Sequence, residues 1–119
     1  MRTRRMSEPE PIKLDGEKVY EMFTSKDDLP IGIAVADIEE SKLHHHARTH
    51  EFYCVMRGYG NIEIDGKTVR VNEGDVQYIQ PGSKHRAFAI QTPGLPAYHT
   101  FMVFVVSSPP WTKEDHILD

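Results

Sequence analysis

The chain has 119 residues, 39% of them hydrophobic and 27% charged, with a formal net charge of −4. That length holds one hydrophobic core and leaves no room for a second domain. The acidic balance offers no basic field for nucleic acid, and no apolar run approaches the ~20 residues needed to cross a bilayer, so a cytoplasmic protein is expected.

The first five residues are basic, but no hydrophobic segment follows them, which argues against a secretory signal. Residues 1–11 read as a flexible arm and residues 12–119 as a single domain. Apolar runs at 19–23 and 31–38 read as strands, the second rich in β-branched residues and ended by Glu39, Glu40 and Ser41. Phe52, Tyr53, Cys54 and Val55 continue as strand, because Gly58 and Gly60 follow too soon for a helix of ordinary length. Cys54 is the single cysteine, so it has no internal disulfide partner and reads as a packing residue. Ile62 and Ile64 precede Asp65-Gly66, and Val69 and Val71 follow. This is the strongest hairpin signal in the chain, since a type I′ turn needs positive φ at both central residues. Residues 76–79 and 85–90 supply two more strands, and 98–106 a long closing one. In the tail, Thr112 is placed to cap a short helix with Asp115 as the acid of a capping box, and Trp111 to cover an edge. Eight or nine short strands separated by turns predict an all-β jelly roll or closed sandwich with a short C-terminal helix.

Within this pattern stands HHHARTHEFYCVMRG. On a strand His44 and His46 share one face and His45 points away, so two imidazoles come within reach of one ion. Glu51 follows His46 at an odd offset and joins the same face only if a bulge or turn interrupts the strand around residues 47–49. A further ligand is offered by His85, which follows the Pro81-Gly82 turn and opens a strand. A helical alternative would pair His46 with His50 at i, i+4, but the residues after His50 favour strand.

These residues resemble the two motifs of the cupin superfamily. The first, His-x-His, then Glu, then Gly after six intervening residues, is matched by His44, His46, Glu51 and Gly58. The second is matched by Gly74, Gly82 and His85 in GDVQYIQPGSKHRAFA. The chain departs from the motifs at Ile38, where a glycine is usual, at Gln80 in place of proline and at Ala89 in place of asparagine. None of these is a ligand position. The resemblance covers about residues 43–89 and implies a double-stranded β-helix, or jelly-roll barrel, holding one divalent metal ion (Fe, Mn, Zn, Ni or Co). Its implied ligands are His44, His46, Glu51 and His85, with His50 as the alternative to Glu51, since some cupins take their third ligand one position earlier.

A metal inside an apolar barrel that keeps open coordination positions suits chemistry on a small molecule. Strand parity puts Tyr53 and Val55 on the face of Glu51, and Phe101 and Val103 on that of His99. Tyr53, Tyr78 and Phe101 are therefore expected to meet substrate, and His99 to serve as a general base or to support a ligand. Three functions follow: an oxygenase-type enzyme first, a sugar or keto-acid isomerase second, and a non-catalytic cupin that binds a small ligand third. The outward positions Phe52, Cys54 and Met56, together with the arm, predict a homodimer.

Overall fold

Period-two alternation dominates the chain, and the computed structural model builds strands along most of the residues it describes, 2–90 and 100–119. In chain order they are β1 (Ile12–Leu14), β2 (Glu17–Phe23), β3 (Gly32–Ile38), β4 (His44–His45), β5 (His50–Arg57), β6 (Tyr59–Ile64), β7 (Lys67–Asn72), β8 (Val76–Ile79), β9 (His85–Ala89), β10 (Met102–Ser108) and β11 (Ile117–Leu118). One sheet runs β1-β2-β3-β10-β5-β8 and the other β11-β4-β9-β6-β7, every pairing antiparallel. This is the expected jelly roll.

Local sequence accounts for much of it. Asp65 (φ 48°) and Gly66 (φ 83°) both adopt the left-handed conformation that a type I′ turn requires, and β6 pairs with β7 in register from Tyr59↔Asn72 to Ile64↔Lys67. Gly58 also has positive φ (78°), and a Cβ there would run into the carbonyl oxygen of Thr100. Only glycine fits at the corner between β5 and β6.

The two inner faces meet in a core of Val55, Ile62, Val71, Ile79, Ala87, Phe101 and Val103. Each such side chain stabilises the fold by roughly 1.5–3 kcal/mol if its apolar surface was fully wet when unfolded. The packing thins toward the end where Glu51 and Ser107 face inward, and there Tyr53 and Val105, which border the core, help line a cavity between the sheets. Phe101 is fully buried in the packed half and a Cβ on Gly60 would meet its ring, so its expected contact with substrate gives way to a packing role.

The tail differs from expectation. Thr112 does act as a cap, its side chain accepting from the Asp115 N–H, but only a single 3-10 turn follows, Lys113–Asp115, in place of the short helix. Asp115 does not close a capping box. Its carboxylate instead accepts from the backbone N–H groups of Ala47, Arg48 and Thr49 at 2.8, 3.1 and 3.2 Å. Three strong donors outcompete one local N–H, and only the fold brings them there. The closing strand starts at Met102 and runs to Ser108; Tyr98 and His99, read as its beginning, lie outside the described residues. At the other end of the chain, Arg4 makes a two-pronged ion pair with Asp27, 2.6 and 2.8 Å, while its guanidinium lies over the Phe23 ring. No helix among the described residues is long and apolar enough to cross a membrane.

Candidate metal centre

Two histidines meet because β4 pairs with β9 such that His44 stands directly opposite His85, the closest side-chain relation an antiparallel ladder provides. His46 follows on the same face. The strand ends at His45 and the chain returns as β5 at His50, and this break turns Glu51 inward, 4% exposed, with His50 outward. His44, His46, Glu51 and His85 are all buried, and one ligand atom from each lies within 4.8 Å of the others.

The hydrogen bonds behind the rings fix their chemistry. Nδ1 of His44 lies 2.7 Å from the carbonyl of Lys42, Nδ1 of His46 lies 2.8 Å from that of Asp115, and Nδ1 of His85 lies 2.9 Å from that of Ser83. A carbonyl oxygen only accepts, so each Nδ1 donates its proton and each Nε2 presents a lone pair. Nε2 of His46 and of His85 approach Glu51 Oε1 at 3.0 and 3.2 Å, yet none of the three buried atoms has an aligned hydrogen-bond partner. Acceptors packed together without a donor are costly in a protein interior. The donor set, three imidazole nitrogens and one carboxylate, fits a divalent cation.

Electrostatics agree. Burial alone would raise the Glu51 carboxyl, but the imidazoles of His46 and His85 hold it at about 2. Burial pulls His46 down and Glu51 overrides it, so His46 is raised above the ordinary histidine value. Burial, helped by the nearby His85, His116 and His46 rings, pushes His44 down to about 3, against its bond to Lys42. The charged Glu51 and the neutral His44 are in the ionisation states that metal ligation requires, whereas His46 has to give up the proton that Glu51 favours.

The cluster opens on an inner cavity of about 60 Å³ walled by Leu14, Val19, Phe23, Ala34, Ala36 and Val105, room for about two waters at ~30 Å³ each. Beyond it lies a basin of about 530 Å³, the size of a small-molecule site. Glu17, Glu21, Trp111 and His116 line both spaces and so stand where one leads to the other. Burial, reinforced by Glu51 and opposed by His46, pushes Glu17 up to about 7. Glu21 is raised by burial as well, with Lys26 opposing. The His116 ring stacks on that of His44, centroids 4.2 Å apart and planes 12° from parallel, and its Nδ1 accepts from the indole N–H of Trp111 at 3.1 Å. In neutral His116 the proton is therefore on Nε2. Burial lowers this imidazole to about 4.

Of the other residues expected at the site, Tyr53 lines the inner cavity and is 7% exposed. Burial raises its hydroxyl well above the usual tyrosine value, with Glu51 and Glu17 adding to the shift. Tyr78 does not reach the site. It lies on the outer face of β8, 42% exposed, with its hydroxyl 2.7 Å from His50 Nδ1; both side chains point away from the cluster because of strand parity. His45 likewise turns outward and meets the Asp119 carboxylate at 2.8 Å. Cys54 is half-buried on this outer face. Four residues were missed. Glu17 could have been found by extending the alternation of Val19, Glu21 and Phe23 back one step, whereas no local pattern marks Trp111 or His116.

A family model described as a cupin domain matches residues 34–97. Among curated proteins, an uncharacterised protein of Methanocaldococcus jannaschii is 30% identical over 73 residues, 61% of this chain and 54% of that one, so the match spans about half of the relative's length. Solved structures share the fold almost end to end. A protein from Planctomyces limnophilus superposes with a TM-score of 0.82 at 17% identity, covering 99% of this chain and 96% of its own. Ectoine synthase from P. lautus gives 0.77 at 19% identity over 94% and 80%. The Streptomyces nucleoside dehydratase Pac13 gives 0.76 at 14% identity over 99% and 92%. Since the matched model spans more than half of the sequence, with both histidine motifs inside it, the chain belongs to the cupin family.

Proposed function

We propose that His44, His46, Glu51 and His85 hold one divalent ion and that the chain is an enzyme acting on a small organic molecule that enters through the basin. The observation that carries this reading is the set of converging buried acceptors with no donor among them. A bound ion would supply positive charge to polarise a substrate oxygen. The chain's own residues supply the rest. Backbone carbonyls behind the three rings hold their orientation, and Leu14, Val19, Phe23 and Val105 exclude water. Glu17, balanced near neutrality, takes up or releases a proton at its carboxyl, and neutral His116 offers a hydrogen bond from its Nε2–H.

A carboxyl poised to exchange a proton and a hydrogen-bond donor beside a metal cluster support isomerisation or elimination of water best. The fold neighbour whose name states such a reaction, a nucleoside dehydratase, is in keeping with that chemistry. Oxygenase chemistry, first in order from the sequence, remains the second reading, favoured by the apolar inner walls.

Metal analysis of protein purified without added metal tests the first step, with about one divalent ion per chain expected. A wild type that holds none and takes up none on titration ends the metal reading. For the metal-loaded protein, a panel of small hydroxy and oxo acids in deuterated water separates the chemistries. Deuterium incorporation without oxygen uptake supports proton transfer; oxygen uptake in step with turnover replaces it with an oxygenase; binding without turnover leaves the non-catalytic role.

A further inference from the structure

We propose that the C-terminal segment, residues 111–119, is a clasp that sets the metal site, with Asp115 and His116 acting as positioning residues for ligands they do not themselves join. This rests on the metal reading above and goes beyond it, because the affinity of the site would then depend on residues about 65 positions from the first motif.

Four contacts carry the inference. The Asp115 carbonyl accepts from Nδ1 of His46 at 2.8 Å, so it selects which nitrogen of that ring faces the cluster. The Asp115 carboxylate accepts from three successive backbone N–H groups, Ala47, Arg48 and Thr49. Those residues are the break that turns Glu51 inward. His116 stacks on His44 and is itself held by Trp111. β11 pairs with β4 at Ile117↔His45 and Leu118↔His44, and Asp119 binds both the Leu43 carbonyl and the His45 ring.

The tail thus fixes His46 from behind and holds the turn that delivers the carboxylate, and it packs the face of the His44 ring, whose Nδ1 is held locally by Lys42. His85 is likewise held locally, its Nδ1 bound to Ser83 within its own turn. Asp115 is 8% exposed. Burial works to raise its carboxyl and the three N–H groups win, holding it below the usual range. An uncapped turn 47–49 would leave three donors competing for water and would free Glu51 to swing out. Supporting residues of this kind are worth on the order of 10–100-fold in metal affinity.

The test uses the full chain with cobalt(II) and zinc(II), comparing Asp115→Ala, Asp115→Asn, His116→Ala and Gly74→Ala, the last a destabilised control at the turn between β7 and β8, where φ is 88° and no atom lies within 4 Å of an added Cβ. The proposal expects Asp115→Ala to weaken zinc by about 10–100-fold and to alter the visible absorption of the cobalt-saturated protein. Asp115→Asn, which keeps one accepting oxygen, should recover part of the affinity, and His116→Ala should lose less than Asp115→Ala. The control should lower the unfolding temperature and leave affinity unchanged. Should Asp115→Ala fail to fold, Asp115→Asn and His116→Ala carry the test, expected to bind zinc more weakly than wild type while the control does not. Wild-type affinity and an unaltered cobalt spectrum in the folded Asp115 and His116 variants would overturn the clasp and leave the metal reading standing. A wild type that binds neither ion overturns both.

Discussion

The β6–β7 hairpin and the segment from His44 to Glu51 place their side chains by opposite means. In the hairpin, Asp65-Gly66 specifies the turn and six consecutive residue pairs follow from it; every instruction lies within residues 59–72. In the histidine segment the strand stops after two residues, the chain breaks, and β5 begins. What holds that break is Asp115, 66 to 68 positions away. The hairpin is locally encoded and carries stability. The ligand segment is held by distant contacts and carries buried acceptors that destabilise it until an ion arrives.

The largest expected effect breaks the comparison on the ligand side. His46→Ala should abolish tight metal binding, by more than the ~100-fold ceiling of a supporting residue, as read by competition with a chromophoric chelator. In metal-free protein at a pH high enough to leave His46 neutral, the same change removes a crowded acceptor, so the unfolding temperature should fall little or rise. A large loss of metal-free stability would show that the cluster is structural.

Next in size is pH. His46 lies above its ordinary value and must lose its proton to bind an ion. Affinity is therefore expected to fall as pH drops through neutrality, by about tenfold per unit for each proton displaced. Flat affinity between pH 8 and pH 6 would count against His46 as a ligand.

A smaller effect belongs to Glu17, on the wall facing the ligands. Its carboxyl is raised from 4.5 to about 7, so the folded chain holds this proton more tightly than the unfolded one. Metal-free stability should consequently decline as pH rises from about 4.5 to about 7 and then level. Discounted for partial exposure, the amplitude is about 1–2 kcal/mol. Glu17→Gln should flatten that part of the profile in denaturant unfolding at several pH values. An unchanged slope would place Glu17 in solvent.

The smallest change sharpens the hairpin side. Gly66→Ala meets no atom and costs only the left-handed backbone, about 1 kcal/mol. Its unfolding midpoint should drop slightly while zinc affinity holds. A loss of affinity would mean that the two regions are coupled, through Asp65, whose carboxylate accepts from the Lys84 N–H beside His85.

The outer face of the larger sheet bears on assembly. Phe52, Met56, Val76 and Tyr78 are each more than 40% exposed on strands β5 and β8, with β8 at the sheet's edge. A second copy of the chain is our proposal for what covers them, and light scattering of wild type beside Phe52→Glu checks it: a dimer that becomes a monomer supports it, and a wild-type monomer removes it.

Much of the site was legible because ligands in a β protein obey parity. His44 and His46 alternate with His45 as any strand would have them, and the need for an interruption before Glu51 can be read from the odd offset alone. Tyr78 shows where this stops. Parity tells which side chains share a face within one strand, but the face that turns inward is a matter of sheet packing. Phe101 shows the same limit from within: it faces inward, but into the packed half of the barrel. Asp115 is the sharper case, since its spacing from Thr112 suits a capping box while its carboxylate answers to three N–H groups that only the fold supplies.

By itself, the sequence determined the strands, the type I′ turn and the candidate ligands, because turn chemistry and period-two alternation act over a few residues. Tertiary structure decided which half of the barrel stayed open, which nitrogen of His46 faces the cluster, and that Glu17, Trp111 and His116 stand at the mouth of the site. Those outcomes depend on hydrogen bonds and packing between segments far apart in the chain, whose partners exist only once the two sheets have closed over one another.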